Sequence, residues 1–443
     1  MGRILRREHE SERSAFAALL TTGMLVAILV LAGLAAPSPA YAGELQGTGT
    51  AEDPMLIYNT GDLIAWCNKL NEMGQDQERQ QHARLMNDLT VPGIDGTEYG
   101  GAVTNDVIAA MNHPDLQVTE FDGNGHLIEL QLTGSSALFQ TGGKPDDTGV
   151  TTIKDLHVIG SVSHGSSAGT LFGSIGEEGN PSENRRIEIT DCTNQANVEG
   201  GPSAGGFIGS YYDNESGEGS IDIERCSNFG DILSSQGHAG GLVGSLVEYS
   251  SEFLASSHRS SLEYCSNNGA IKSMGGSFST FYDVYEKDKP ETIGGCAGGL
   301  VGYSSYKSTH FVIGHDYNQG EIYSASGIGY SGGLVGFSDT TTYDQHTISY
   351  CYNSGTIKTN AAEAGHAGGL FGFTLYHVNN PNGCQTLEGS VPADAVSGTN
   401  NGSIVSKINM AYGHGYTSKQ VLEGVGVGKS IKVTVITPPI QQV

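Results

Sequence analysis

The sequence predicts an all-β chain, a parallel β-helix whose short strands stack by one strand spacing per turn. Two marks that repeat in step predict it, and a Gly content far above the usual 7% or so agrees, with 65 Gly among 443 residues. The first mark reads Gly205-Gly206-Phe207-Ile208-Gly209 and returns with its Gly pair at 240, 298, 332 and 368, in steps of 35, 58, 34 and 36 residues. A degenerate earlier copy is Gly169-Thr170-Leu171-Phe172-Gly173. The second mark reads Cys192-Thr193-Asn194, Cys226-Ser227-Asn228, Cys265-Ser266-Asn267 and Cys351-Tyr352-Asn353, with Asp316 replacing Cys before Asn318. An apolar residue follows each copy: Val198, Ile232, Ile271, Ile322 and Ile357. A fading copy lies at Asn400-Asn401-Gly402.

Local chemistry selects strand over helix. Leu-Val and Ile-Val are β-formers, while flanking Gly would destabilise a helix interior. Segments such as Thr347-Ile348-Ser349-Tyr350-Cys351 alternate with period two. The Asn-x-Gly of the later copies, as at Asn228-Phe229-Gly230, is expected to supply a positive-φ turn. Repeats of about 35 residues that bury an apolar face only against their neighbours then form a solenoid.

Four segments follow from the N-terminus. Residues 1–42 read as a signal peptide: Arg3, Arg6, Arg7 and Arg13, an apolar run from Ala15 to Ala36, and an Ala40-Tyr41-Ala42 exit suited to cleavage before Gly43. The run is also long enough to span a bilayer, so an uncleaved anchor is the competing reading. Residues 43–118 read as a cap with one helix starting near Thr60, whose Leu63, Trp66, Cys67 and Leu70 share a face. Such a cap would close the exposed strand edges and open core of a solenoid end. Residues 119–410 carry the repeats, and 411–443 read as a last strand near Ile431-Lys432-Val433-Thr434-Val435 followed by a linker-like tail with Pro438-Pro439. No Leu-Pro-x-Thr-Gly sorting signal occurs. The chain would therefore be released, held non-covalently, or shorter than its functional relatives.

The Gly-Gly-Leu-Val-Gly copies resemble the GLUG-motif repeats of bacterial secreted and cell-surface proteins. The resemblance extends to Gly47-Thr48-Gly49-Thr50-Ala51-Glu52-Asp53-Pro54, to Leu85-Met86-Asn87-Asp88-Leu89 and to Phe121-Asp122-Gly123-Asn124-Gly125-His126, in that order. It covers the chain from Gly47 to about Thr374. It implies a right-handed coil in an extracellular, often adhesive, setting and names no ligand.

Charge narrows the partners. The chain carries −26, and losing a leader with four Arg and three Glu leaves about −27. That argues against nucleic acid and anionic lipid, leaving a membrane role only to an uncleaved N-terminus. The seven Cys would ordinarily suggest disulfides in an exported chain. Stacked positions about 4.8 Å apart with parallel side chains miss the Cβ spacing of about 3.8 Å, so Cys192, Cys226, Cys265 and Cys351 are expected to form a buried thiol column. Cys67, Cys296 and Cys384 lie outside the repeat register, where a bond between two of them is possible. No Cys-x-x-Cys, His-Glu-x-x-His, nonapeptide calcium repeat or EF-hand loop occurs, so no cofactor or metal is expected. The Asn column, and His238 and His366 before their Ala-Gly-Gly, read as structural turn chemistry.

Two features depart from scaffold. From Cys265 to its Gly pair is 33 residues, against 13 to 17 in the other copies. The extra residues, about 273–293, include Phe278, Phe281, Tyr282 and Tyr285, and solenoid insertions often lie on a binding face. Tyr303, Phe337 and Phe373 form an aromatic column five residues after successive Gly pairs, either core or exposed ligand-stacking rungs. The expected function is a secreted or cell-surface, adhesin-like binding scaffold, monomeric, with a glycan or protein ligand on a host or neighbouring cell and no catalytic residues. The alternatives are a polysaccharide lyase or glycoside hydrolase, which needs a carboxylate pair or a base with charge stabilisers, and a non-binding surface stalk.

Overall fold

The structure is a computed structural model that describes residues 45–72, 82–90, 101–112, 120–141, 150–176, 186–215, 219–250, 260–279, 292–307, 311–340, 346–360, 367–374, 378–382 and 385–386. The chain divides after Gly43, and every described residue belongs to the unit Glu44–Val443. No helix among the described residues is long and apolar enough to cross a membrane. The fading copy at 400 and the strand near 431 lie outside the described residues.

Each repeat gives strands to four stacked parallel sheets. In one coil, Ser220–Glu224 belongs to a 10-stranded sheet, Ser227–Asn228 and Ile232–Ser234 to a 14-stranded sheet, His238–Gly240 to a 5-stranded sheet and Val243–Ser250 to a 7-stranded sheet. The next coil pairs with it in parallel register: Ile223 with Leu262, Asn228 with Asn267, Ile232 with Ile271, Gly240 with Gly298 and Val243 with Val301. Like residues thus stack on like, and the apolar columns fill the interior. Ile223, Ile232, Leu242 and Val243 are all buried.

The coils approach too closely for side chains at the Gly pairs. A Cβ on Gly240 would overlap the carbonyl of Val243 in its own coil, and one on Gly241 would overlap the Gly299 carbonyl of the next. The Asn-x-Gly expectation is corrected here. Gly230, Gly269, Gly320 and Gly355 do not take positive φ; their missing Cβ makes room for the carbonyl of the preceding coil. Positive φ falls instead on Asp155, Asp191, Arg225, Tyr264, His315 and Tyr350, at 49 to 60°. In five of the six coils that residue directly precedes the Cys or Asp mark. The left-handed region costs a non-Gly residue on the order of 1–3 kcal/mol. Inter-coil hydrogen bonds hold it, as when Arg225 N donates to Glu263 O and Tyr264 N to Gly314 O, both at 2.9 Å.

Behind each corner run two polar columns. Asn194, Asn228, Asn267, Asn318 and Asn353 are fully buried, and each Nδ2 but the last donates to the next Oδ1 at 2.7 or 2.8 Å. The same Nδ2 donates to the carbonyl two residues on, for example Asn228 to Gly230 at 2.9 Å. Cys192, Cys226, Cys265 and Cys351 are buried thiols outside any disulfide. Cys226 Sγ donates to the Glu224 carbonyl at 3.2 Å and Cys265 Sγ to that of Glu263 at 3.3 Å. Burial pushes both thiols well above their ordinary pKa. Asp316 takes the vacant rung, accepting from Cys265 N at 2.6 Å.

Helix α1 (Thr60–Glu72) covers the first coil with Leu63, Ile64, Trp66, Cys67 and Leu70 buried. Trp66 packs 5.4 Å from Phe121 and 6.3 Å from Phe139, and Phe139 passes the ring contact to Phe172. The short α2 (Asn105–Ala110) is tied to α1 by Asn68 Nδ2 donating to Ala110 O at 3.1 Å.

Asn267→Ala removes three buried hydrogen bonds and leaves one N–H of the Asn228 amide without its acceptor. A loss of about 2–3 kcal/mol in urea unfolding is expected, against under about 0.5 kcal/mol for the half-buried Asn268→Ala. Equal effects of the two would contradict the ladder.

Candidate functional site

The insertion leaves the coil after the strand Ile271–Ser273. Ser277–Ser279 then pairs with Thr292–Gly294, the one antiparallel strand pair among the described residues, with Phe278 opposite Ile293. The loop is therefore built on a closed hairpin base. Its return is tight, since a Cβ on Gly295 would overlap Ser273 Oγ and the carbonyls of Gly275 and Gly237. The Phe278 side chain and all of Phe281, Tyr282 and Tyr285 lie outside the described residues.

The aromatic column seats that hairpin. Tyr303, Phe337 and Phe373 occupy one register of the 7-stranded sheet, after half-buried Ser174, Ser210 and Ser245 in earlier coils. Tyr211 and Leu246, one residue further along, fill the coil interior. The column therefore stands on the outer face. There it forms a separate apolar cluster with Val247, Ile293, Cys296 and Tyr330. Phe337 stacks on Tyr303 at 5.8 Å and on Phe373 at 4.7 Å, while Tyr330 meets Phe337 edge-on at 5.0 Å. The three rings are 7%, 0% and 6% exposed, so they are not rungs open to a ligand. Ile293 and Cys296 of the insertion's return limb cover them, which removes them from the set of ligand-contacting residues.

His238 also departs from the turn expected of it. It lies in the strand His238–Gly240, stacks on Tyr303 at 4.7 Å, and accepts from Cys296 N through Nδ1 at 3.2 Å. That places its proton on Nε2. Burial drives its pKa down to about 3. His366 lies outside the described residues. Cys67 and Cys296 are buried free thiols in different clusters, and Cys384 is not described.

Two carboxylate pairs bear on catalysis. Asp213 and Glu248 are register partners, both sealed in the interior at 1% and 2% exposure. Glu248 accepts from Ser260 Oγ, and burial, with the charges of Asp213 and Asp222 adding, raises its pKa well above 4.5. Glu188 and Asp222 are register partners in the 10-stranded sheet, both half-buried. Burial raises the Asp222 pKa, although Ser261 Oγ donates to Asp222 at 2.7 Å. No group of three or more His, Cys, Asp or Glu able to hold a metal occurs among the described residues.

Sequence reasoning missed the corner residues. Tyr264, His315 and Tyr350 stack in successive coils at 4.6 and 4.9 Å, with planes within 5° and 13° of parallel. Their signal was available, because each directly precedes the Cys or Asp mark.

Stacked parallel sheets with one register per repeat define the chain as a parallel β-helix protein. No protein-family model matches it, and no curated protein does. A solved structure from Bacteroides ovatus, described as a putative immunoglobulin A1 protease, is similar at a TM-score of 0.42 and 16% identity. The match covers 73% of this chain and 84% of that one.

A histidine with a depressed folded pKa contributes stability that is present above its unfolded value of 6.5 and lost as pH falls toward about 3. His238→Gln is therefore expected to flatten the fall in unfolding midpoint between pH 6.5 and 3. Parallel wild-type and variant curves would show that His238 titrates freely.

Proposed function

We propose that the protein is an exported, adhesin-like binding scaffold, displayed at the cell surface or secreted, in which the coil holds the 273–293 insertion toward a ligand. One observation carries the reading: the single copy that breaks the repeat has a built base. A hairpin closes it, and Ile293 and Cys296 anchor its return on the stacked Tyr303, Phe337 and Phe373. A rigid scaffold presenting a loop is how binding residues are commonly held, and a spacer loop would need no such seat. The signal-like N-terminus and the GLUG resemblance support the extracellular setting.

Deleting residues 280–291 with a short Gly-Ser closure tests it. The far-UV β signal and unfolding midpoint are expected to hold while binding on a glycan and matrix-protein array is lost. Binding retained by the folded deletion variant would sink the proposal.

A glycan-active enzyme is the second reading, favoured by one feature: Glu188 and Asp222 lie on adjacent coils, and the raised pKa of Asp222 suits a general acid. Polysaccharide cleavage abolished by Asp222→Asn would support it. No cleavage by the wild-type chain across uronate and neutral polysaccharides would dismiss it.

A further inference from the structure

The outer face of the 14-stranded sheet changes character along the coil. Across each turn its outward positions start at the left-handed corner and recur every second residue. On the three earlier full coils these positions include Asp155, Asp191, Glu199 and Asp231 against Arg225, a net −3. On the three later coils they include Lys272 and Lys358 against Glu321, a net +1 in a chain of −26. The rings follow the same division. Tyr264, His315 and Tyr350 form the corner stack, and Tyr317 pairs in register with Tyr352 two residues along. At the far edge the register reads Lys272, Tyr323, Lys358. The same positions of the earlier coils carry only two rings, His157 and Phe229, against the six of the later coils.

The corner does not demand this. Asn or Gly accepts the left-handed conformation more cheaply than Tyr or His. Yet Tyr264 and Tyr350 are 53% and 54% exposed there. Stacking fixes the rings before any ligand arrives, so little side-chain entropy remains to be lost on binding.

We propose that this face binds an acidic glycan, a sugar chain bearing carboxylates, laid across the Tyr and His rows with its charges toward Lys272 and Lys358. The assignment rests on reading the protein as a binding scaffold and gives that scaffold a second site with a ligand class. Charge complementarity selects an anion, since the two lysines lie in the one basic stretch of an otherwise acidic face. Size argues against a globular partner. Three coils about 4.8 Å apart and roughly nine residues of strand give on the order of 400 Å², about half of what a stable protein interface covers per partner. A peptide gains affinity from a free sheet edge or from side-chain pockets, whereas every strand of this face but Ile357–Thr359 is paired on both sides and the rings and lysines present side chains rather than free backbone. Amphipathic rings, amides and hydroxyls on a sheet face suit sugar rings, which present C–H faces and hydroxyls together.

The test uses the full chain in calorimetric titration with an oligogalacturonate, a neutral glucan oligomer of equal length, and poly-glutamate. The oligogalacturonate is expected to bind at least tenfold more tightly than either, and to weaken as salt rises. Lys272→Gln with Lys358→Gln, and separately Tyr264→Asn with Tyr350→Asn, should each lower affinity at least tenfold. Asn suits the left-handed corner, so the unfolding midpoint should hold in the second pair. The 280–291 deletion should leave this binding unchanged. No oligogalacturonate binding, equal binding of poly-glutamate, or unchanged affinity in both double variants would overturn the assignment. Loss of binding in the deletion instead would move the ligand to the insertion, overturning this site while sparing the scaffold reading.

Discussion

One hydrogen-bonded column sets the terms for the rest of the fold. Asn194, Asn228, Asn267 and Asn318 each bond forward to the next Asn and sideways to their own turn, which fixes one register between successive coils. A shift by one residue would reverse inside and outside along every strand and leave five buried amides without partners. With register fixed, backbones at the Gly pairs meet carbonyl against Cα, and only Gly fits. The corner residues take positive φ where the chain turns from the 10-stranded into the 14-stranded sheet, and there their N–H groups bond to the next coil.

The repeat was legible in the sequence for this reason. A coil that poses the same packing problem every turn collects the same answer, so Gly-Gly-Leu-Val-Gly and Cys-x-Asn recur in step. The capping helix was legible from its 3.6-residue spacing, with Trp66 as its buried anchor. What escaped was decided between coils. Asp191, Arg225, Tyr264, His315 and Tyr350 share no chemistry that marks a left-handed corner. The side of the sheet taken by Tyr303, Phe337 and Phe373 was hidden as well. Ile208 and Tyr211 are both buried in the coil three residues apart, so the alternation slips once at Gly209. Period-two counting from the motif therefore points these rings the wrong way. The insertion was visible as a spacing error, but its seat was not, because Tyr330 and Cys296 come from different repeats.

Function would then reside where the repeat is interrupted or recoloured. The interior is committed to stacking: its thiols are held protonated by burial, and the Asp213 and Glu248 carboxyls are closed off from substrate. What varies without breaking register is the outside. A loop can be added above an aromatic seat, and a face can change from acidic to tyrosine-rich within three coils. The regular core makes such changes inexpensive, since outward substitutions leave the ladder intact.

The ladder itself is the most direct point of attack. Side-chain amide hydrogen exchange, read by NMR on selectively Asn-labelled protein, reports whether those amides are held. Asn228, Asn267 and Asn318 are predicted to exchange as slowly as the backbone amides of their own coils, opening only with the coil. Exchange of those three at the rate of an exposed asparagine would contradict the register on which the fold rests.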